Sequence, residues 1–381
     1  MREGWTYKKL GEVCKVIMGQ SPDGRSVNCS SGIEFHQGKI FFGEKYLNVS
    51  SSFTEQPSKI AEPNSVLLCV RAPVGVVNIT SRKICIGRGL CAIENKGNII
   101  VPFLYYALTQ KQEYFDKNST GSTFKAISSK VVINTVVPVP PLSEQERIVS
   151  ELDLLSSVID KKKAQLKELD NLAQSIFYDM FGDPVTNEKG WEDEKMYNIC
   201  TITSSKRIFA NEYCEDGIPF YRGKEISELS KGLPISVELS ISYDRYEEIK
   251  SEFGVPLVGD ILITAVGTIG NIWVVNDDKP FYFKDGNIIW LKEIKGYNPI
   301  FFRKLLSILI DAYKHEMAQG CAYNALTIVN LKKMKALCPP LSLQQQYAEK
   351  IEAIEHQKEL IQQSIKETET LFNCRMDYYF N

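Results

Sequence analysis

Histidine is scarce in this chain. Only His36, His315 and His356 occur among 381 residues, each on a different segment. The ten cysteines include no Cys-x-x-Cys pair. The usual zinc spacings are therefore missing, and neither disulfides nor a metal centre are expected. Long apolar runs are missing too: none reaches the roughly 18 residues that a membrane span requires. The opening "MREGWTYKKLGEV" carries no apolar signal core, so the reading is a cytoplasmic protein without membrane attachment. Phosphate-binding glycine loops are also lacking. "VGTIGN" (Val266 to Asn271) has two glycines after a strand pattern, but no third glycine and no Gly-Lys-Ser/Thr. "NPIF" (Asn298 to Phe301) resembles an amino-methyltransferase motif, yet its counterpart "VPFL" (Val101 to Leu104) has no asparagine. With no nucleophile, base or ligand cluster in view, the chain reads as a non-enzyme.

What is present is a repeat. "GWTYKKLGEVCKVI" (Gly4 to Ile17) matches "GWEDEKMYNICTIT" (Gly190 to Thr203), pairing Trp5 with Trp191, Val13 with Ile199 and Cys14 with Cys200. "SVLLCVRAPVG" then meets "DILITAVGTIG", with Gly75 opposite Gly270. "GSTFKAI" meets "GCAYNAL", and "PPLSEQE" meets "PPLSLQQ", all in the same order. A duplicated supersecondary plan follows. Short β-branched runs such as "SVLLCV", "KICIG", "DILITAV" and "NIIWL" read as strands. "VPFLYYALTQKQEYF" and "NPIFFRKLLSILIDAYKHEMA" read as helices with proline in the first turn. The expected class is α+β: a first mixed domain over 1–142, a spacer helix over 143–186, a second mixed domain over 187–341 and a second helix over 342–381.

The two helical stretches carry the strongest periodicity. Ser143 with Glu146 and Ser342 with Gln345 form candidate capping boxes, each behind paired prolines, and Gly182 with Pro184 supplies a stop. Apolar residues fall at Ile148, Leu152, Leu155, Ile159, Leu166, Leu169, Ala173 and Ile176, interrupted by Lys162. The second series is Tyr347, Ile351, Ile354, Ile361, Ile365 and Phe372, interrupted by Lys358 and Thr368. This four-three spacing is a coiled-coil seam. At about 38 residues, roughly 57 Å, each rod is longer than one such domain can cover. The two rods are thus expected to pair as an antiparallel coiled coil with a pseudo-two-fold axis. Lys162 and Lys358 either set register or meet a partner.

Net charge is −2, but it is unevenly spread. Residues 1–142 hold 17 basic and 10 acidic residues, whereas 187–340 hold 19 and 21. Only the first head is basic. Its polar, glycine-marked loops place Ser21 and Arg25 in "GQSPDGRSVN", Gln37 and Lys39 in "FHQGK", Arg71 in "VRAPVG", Arg88 in "IGRGL" and Lys125 in "GSTFKAI". The second head offers Lys206 in "SSKR", Arg222 and Lys224 in "YRGKE", Lys284 and Asn287 in "FKDGN", and Tyr323 and Asn324 in "GCAYNA". Cations suit DNA phosphates, and Arg, Asn, Gln and Ser suit base edges, so these are the candidate DNA-binding residues.

With "PPLSEQERIV" and "PPLSLQQQYA" each closing a head and opening a rod, and with "GQSP", "RAPVG", "IGRG", "GSTFKAIS", "GDILITAVGTIG" and "FKDGNIIWL" inside the heads, the chain resembles the specificity subunit of type I restriction-modification enzymes over essentially its full length. The resemblance implies a non-catalytic subunit with two target-recognition domains. Each would read one half of a split double-stranded DNA target, and the helices would set the gap. It also implies two methyltransferase subunits docked beside the helices, with motor-nuclease subunits completing the complex. S-adenosylmethionine, ATP and Mg2+ would belong to those partners, leaving this chain without a cofactor. The competing readings are the recognition portion of a fused restriction-methylation enzyme, for which the chain has no room, and a structural coiled-coil scaffold, which leaves the recurring polar loops unexplained.

Overall fold

The computed structural model describes residues 4–27, 31–121, 125–318 and 325–381. The chain divides into two compact units, residues 1–165 with 361–381 and residues 166–360. Each unit therefore takes one half of each long helix. No helix among the described residues is long and apolar enough to cross a membrane.

The first unit is built on a four-stranded antiparallel sheet in the order Cys14–Met18, Leu90–Asn95, Ser65–Cys69, Val77–Thr80. A smaller sheet holds the parallel pair Ile33–His36 and Ile84–Ile86. The second unit repeats the plan with Thr201–Thr203, Ile288–Lys292, Ile261–Thr264 and Ile272–Val274 in the same order. Its smaller sheet likewise holds a parallel pair, Ile218–Tyr221 with Tyr282–Phe283. In both units the first strand pairs with the last before the long helix begins, Thr6–Lys9 with Val136–Val139 and Asp193–Lys195 with Lys335–Leu337. The duplication reaches individual bonds. Leu10 N–H donates to Thr135 C=O at 2.8 Å, and Met196 N–H donates to Met334 C=O at 2.9 Å.

The helical stretch after Ile100 differs from the single helix expected. It is two pieces, Val101–Thr109 and Gln112–Lys117, and the turn between them lets Phe115 reach the core with no exposure. Its counterpart, Pro299–Ala318, is continuous.

The long helices are Leu142–Phe181 and Leu341–Phe380, 40 residues each. The first stops where expected, with Gly182 at φ +74°, a left-handed conformation that glycine adopts without a Cβ penalty. Their starts differ from the capping boxes expected. Helical geometry begins at Leu142 and Leu341, so Ser143 and Ser342 lie inside the first turn and Pro141 and Pro340 hold the cap positions. The prolyl carbonyls accept the first helical bonds: Pro141 from Gln145 N–H at 3.0 Å and Pro340 from Gln344 N–H at 3.2 Å. The side chains that join head to rod are instead two buried glutamines. Gln145 accepts from Ile100 N–H at 2.8 Å and donates to Pro140 C=O at 2.8 Å and Asn98 C=O at 3.1 Å. Gln344 does the same with Asn298 N–H at 2.9 Å, Pro339 C=O at 2.8 Å and Gly296 C=O at 3.2 Å.

Within each unit the two helices run antiparallel, and both feed the head's core. In the first, Ile148 and Leu152 from one helix and Met376, Tyr379 and Phe380 from the other join the cluster around Leu104 and Phe103. In the second, Phe177, Phe181 and Tyr347 surround Phe301, with Phe181 and Phe301 ring centres 4.5 Å apart. Lys162, the break in the seam, donates across the helix pair to Ser364 Oγ at 2.6 Å and Thr368 Oγ1 at 3.0 Å. Thr368, itself an exception in the apolar series, is thus its receptor. Lys358 reaches Asp170 at 2.8 Å and Glu355 at 3.0 Å. Both lysines interrupt apolar packing in order to bond the opposite helix. Such paired polar insertions specify register.

Inside the first head, Glu34 ties the smaller sheet together. Arg82 grips it as a fork, Nε to Oε1 at 2.9 Å and Nη2 to Oε2 at 3.0 Å. The buried His36 ring lies 3.2 Å from the same carboxylate, and Ser50 N–H donates to it at 3.2 Å. Burial works against the Glu34 charge, but Arg82, His36 and Ser50 together lower its pKa to about 2, against an ordinary value of 4.5. Burial lowers the His36 pKa.

Two predictions arise here. Gln145→Ala removes three hydrogen bonds, the one to the Pro140 carbonyl fully buried, and is expected to cost about 2–4 kcal/mol in urea unfolding; Gln344→Ala should behave alike, and a loss under about 0.5 kcal/mol in both would remove the clamp from the account of the fold. Because the folded Glu34 pKa is depressed, its contribution is complete above pH 4.5 and fades as pH falls toward about 2. Glu34→Gln should therefore destabilise by about 1–3 kcal/mol at neutral pH, with the difference from the parent narrowing between pH 4.5 and 3; a difference independent of pH would show that the charge is not what matters.

Candidate nucleic-acid interface

In the first head the polar loops meet beyond one end of the main sheet, stitched by main-chain bonds. Gly19 N–H donates to Leu90 C=O at 2.9 Å and Gln20 N–H to Ile86 C=O at 3.0 Å. Gly87 N–H donates to His36 C=O at 2.8 Å, Val70 N–H to Gly89 C=O at 2.9 Å, and Ala72 N–H to Lys125 C=O at 3.0 Å. The described parts of these loops around Gly19–Gln20, His36, Val70–Ala72, Gly87–Gly89 and Lys125 are thereby held in one patch. The approach is too close for larger residues: a Cβ on Gly19 would lie 2.1 Å from Gly87 O, and one on Gly89 would lie 2.3 Å from Gln37 O. Glycine is required at these positions because backbone packs on backbone.

A cleft of about 190 Å³ opens among these loops, lined by Gln37, Lys39, Arg71 and Gly89 with Cys69 at its base. Ser21 Oγ donates to Gln37 Oε1 at 2.9 Å, which orients the amide. Gln37, Lys39, Arg71 and Arg88 are exposed. No ion pair of Lys39, Arg71 or Arg88 occurs among the described residues, so these cations are available to an outside anion. Burial pushes the Cys69 thiol up to about 12, keeping it neutral beneath them. Two predicted residues are placed otherwise. Lys125 stands at the patch, but its ammonium is bound by both oxygens of Asp116 at 2.8 Å. Arg25 sits in the turn Gly24–Ser26, anchored to Thr54 through Ser26 at 3.2 Å, away from the cleft.

The second head uses the same stitching. Ala265 N–H donates to Asn287 C=O at 2.8 Å and Leu326 N–H to Ala265 C=O at 3.0 Å, matching the bonds of Val70 to Gly89 and of Ile127 to Val70. Lys284 N–H donates to Tyr221 C=O at 2.9 Å, Gly286 N–H to Ser204 Oγ at 3.3 Å, and Lys206 N–H to the Tyr282 hydroxyl at 2.6 Å. Lys206, Arg222, Lys284 and Asn287 are thus brought to one region. By this equivalence, Arg71 and Arg88 stand where the second head has Val266 and Gly286.

Arg222, Lys224, Arg207 and Lys284, unlike Lys39, Arg71 and Arg88 of the first head, are paired. Arg222 contacts Glu225 at 3.0 Å and Glu238 at 2.7 Å, and Lys224 contacts Glu238 at 2.7 Å. Arg207 contacts Asp285 at 2.7 Å, and Lys284 lies 3.8 Å from the same carboxylate. Glu225 is buried. Burial raises the pKa of that carboxyl, but Arg222 outweighs burial and holds it below the usual range. Lys206 packs over the Phe253 ring with its nitrogen 4.6 Å from the centre. Tyr323 and Asn324 lie outside the described residues.

Sequence reasoning missed the acidic partners Glu225, Glu238 and Asp285; only Glu225, three residues after Arg222 at a helix start, carried a local signal. It also passed over a usable signal, the echo Phe-x-x-Gly-Lys in "FHQGK" (Phe35 to Lys39) and "FYRGK" (Phe220 to Lys224). Both echoes end the first strand of the parallel pair in the smaller sheet. Gln37 corresponds there to Arg222, and Lys39 to Lys224.

Comparison with known proteins bears on this arrangement. The family described as the type I restriction modification DNA specificity domain matches residues 2–171 and 188–370. A putative type I restriction enzyme MjaX specificity subunit from Methanocaldococcus jannaschii is 36% identical over 178 residues, 46% of this chain and 42% of that protein. The EcoBI specificity subunit of Escherichia coli is 24% identical over 283 residues, 66% of this chain and 58% of that protein. The matched regions span 42% to 61% of the first three curated relatives. Among solved structures, the S subunit of a type I restriction-modification system from M. genitalium aligns over 99% of this chain and 96% of its own with a TM-score of 0.57 at 15% identity. A chain from a structure concerned with complex assembly and conformational transition of the type I R-M system aligns over 100% and 98% with a TM-score of 0.68 at 19% identity. The fold is shared with both. On the two matched segments that cover both heads and most of both rods, the chain belongs to the family of type I restriction modification DNA specificity domains.

Proposed function

We propose that this chain is the non-catalytic sequence-recognition subunit of a type I restriction-modification complex, each head reading one half of a bipartite, asymmetric DNA target. The observation that carries the reading is the pair of equivalent loop patches, held by equivalent main-chain bonds yet bearing different side chains. A repeated frame with unlike contents suits two unlike half-sites. In the first head the proposed contacts are Ser21, Gln37, Lys39, Arg71 and Arg88, with Arg25 and Lys125 at the margin. In the second they are Lys206, Arg222, Lys224, Lys284 and Asn287, together with Tyr323 and Asn324. Gln37 and the arginines suit purine edges, and the lysines suit phosphates.

In this proposal the paired helices fix the gap between half-sites and carry two methyltransferase subunits, with motor-nuclease subunits added for restriction. S-adenosylmethionine, ATP and Mg2+ act on those partners, and the complex works in the cytoplasm. Two linked heads bind jointly far better than either alone, because the second contact is intramolecular. The modest charge of the second head supports a division in which partners supply further phosphate contacts.

Purified with a methyltransferase subunit, the protein is expected to direct methylation to a split sequence, read by methylome sequencing; methylation confined to one contiguous short sequence would sink the proposal. Arg71→Ala, which breaks no ion pair described, should weaken DNA binding about tenfold and reduce the slope of log affinity against log salt by about 0.9 if a phosphate contact is lost, or relax specificity at one base with the slope unchanged if a base contact is lost. Unchanged affinity and specificity across the salt series would remove Arg71 from the interface.

A further inference from the structure

The two heads differ in the state of their cations at one equivalent place. Both smaller sheets end a strand with Phe-x-x-Gly-Lys, at Lys39 in the first head and Lys224 in the second. Lys39 has no ion-pair partner among the described residues. At Lys224 a single carboxylate bridges two cations: Glu238 Oε1 lies 2.7 Å from Lys224 Nζ, and Glu238 Oε2 lies 2.7 Å from Arg222 Nη2. Glu238 comes from the irregular segment between the helix Gly223–Leu229 and the strand Ser240–Ile241. Its side chain is 51% exposed. The same Nη2 also meets the buried Glu225 Oε1 at 3.0 Å, so Arg222 has a counter-charge without Glu238.

A half-exposed ion pair contributes little to stability, so the bridge is not explained by holding the fold. Geometrically, one anion with two oxygens each facing a cation is the arrangement of a DNA phosphate between an arginine and a lysine. We infer that Glu238 is an internal stand-in for a DNA phosphate in the second head, occupying Arg222 and Lys224 until the DNA backbone displaces it. This rests on the reading of the heads as DNA-binding. Its consequence is an order of engagement: the first head, whose Lys39, Arg71 and Arg88 have no ion pair among the described residues, meets DNA readily, whereas the second must first give up its own anion. Non-specific attachment through the second head is thereby suppressed.

The test uses the full chain purified with a methyltransferase subunit and a fluorescently labelled duplex of mixed sequence, titrated over a range of salt. Glu238→Gln keeps the shape and removes the charge. It is expected to tighten binding by about three- to tenfold at low salt, with the gain fading as salt screens it. Lys224→Ala should cost more in the Glu238→Gln background than in the parent, because only there is the lysine free at the start. Equal losses in both backgrounds, or no gain from Glu238→Gln, would overturn the inference. So would a change confined to one cytosine of the methylated sequence, with mixed-sequence binding unaltered, since Glu238 would then be a base-reading residue. Arg71→Ala separates the two levels. If it weakens binding while Glu238→Gln is silent, the DNA reading stands and the stand-in falls; if neither variant changes binding to any duplex, both fall.

Discussion

Each head completes its core with side chains from both long helices, and the rest of the molecule depends on that sharing. Ile148 and Leu152 sit with Met376, Tyr379 and Phe380 in the first core; Phe177 and Phe181 sit with Tyr347 in the second. Neither helix can leave without opening apolar surface in a head. The buried glutamines make the joint directional. Because Gln145 and Gln344 bond main-chain groups on both sides of the head-to-helix junction, the rod leaves each head along one fixed line. A coiled coil alone slides by heptads at modest cost. This one is pinned by Lys162 and Lys358 along its length and by aromatic packing in each unit.

Much of this was legible in the amino-acid order. The repeat, the strand and helix periods and the rod limits are local patterns, and local patterns survive translation into structure. The seam residues Ile148, Leu152, Ile159, Ile354 and Ile365 are buried as their spacing requires. Less legible were interactions between distant residues. Arg222 meets Glu238 across 16 positions, and Arg207 meets Asp285 across 78. Nothing in a periodicity marks such pairs. Cap position was misjudged by two residues because proline's carbonyl can accept the first helical bonds although its ring donates none, and Gln145 was overlooked because a glutamine inside a charged helix start looks solvated. Charge counting found the basic first head, but counting cannot tell a free cation from a neutralised one. That difference separates the two patches.

The near-neutral balance of the whole chain thus conceals two unlike surfaces. In the first head, arginine and lysine stand over a neutral cleft and face outward. In the second, the same frame carries its own counterions. Electrostatics of this kind bears on encounter and discrimination more than on the depth of the final complex.

The stitching of the loop patches by main-chain bonds has a consequence for change over generations. Val70 to Gly89 and Ala265 to Asn287 are the same bond, yet the neighbouring side chains differ completely. Since the frame rests on peptide groups, with Gly19 and Gly89 crowded by backbone in the first head and Asn287 at the place of Gly89 in the second, the bonds that hold it do not depend on which side chains stand between them. Such a protein can acquire a new vocabulary one residue at a time while its grammar, the main-chain bonds, stays unaltered.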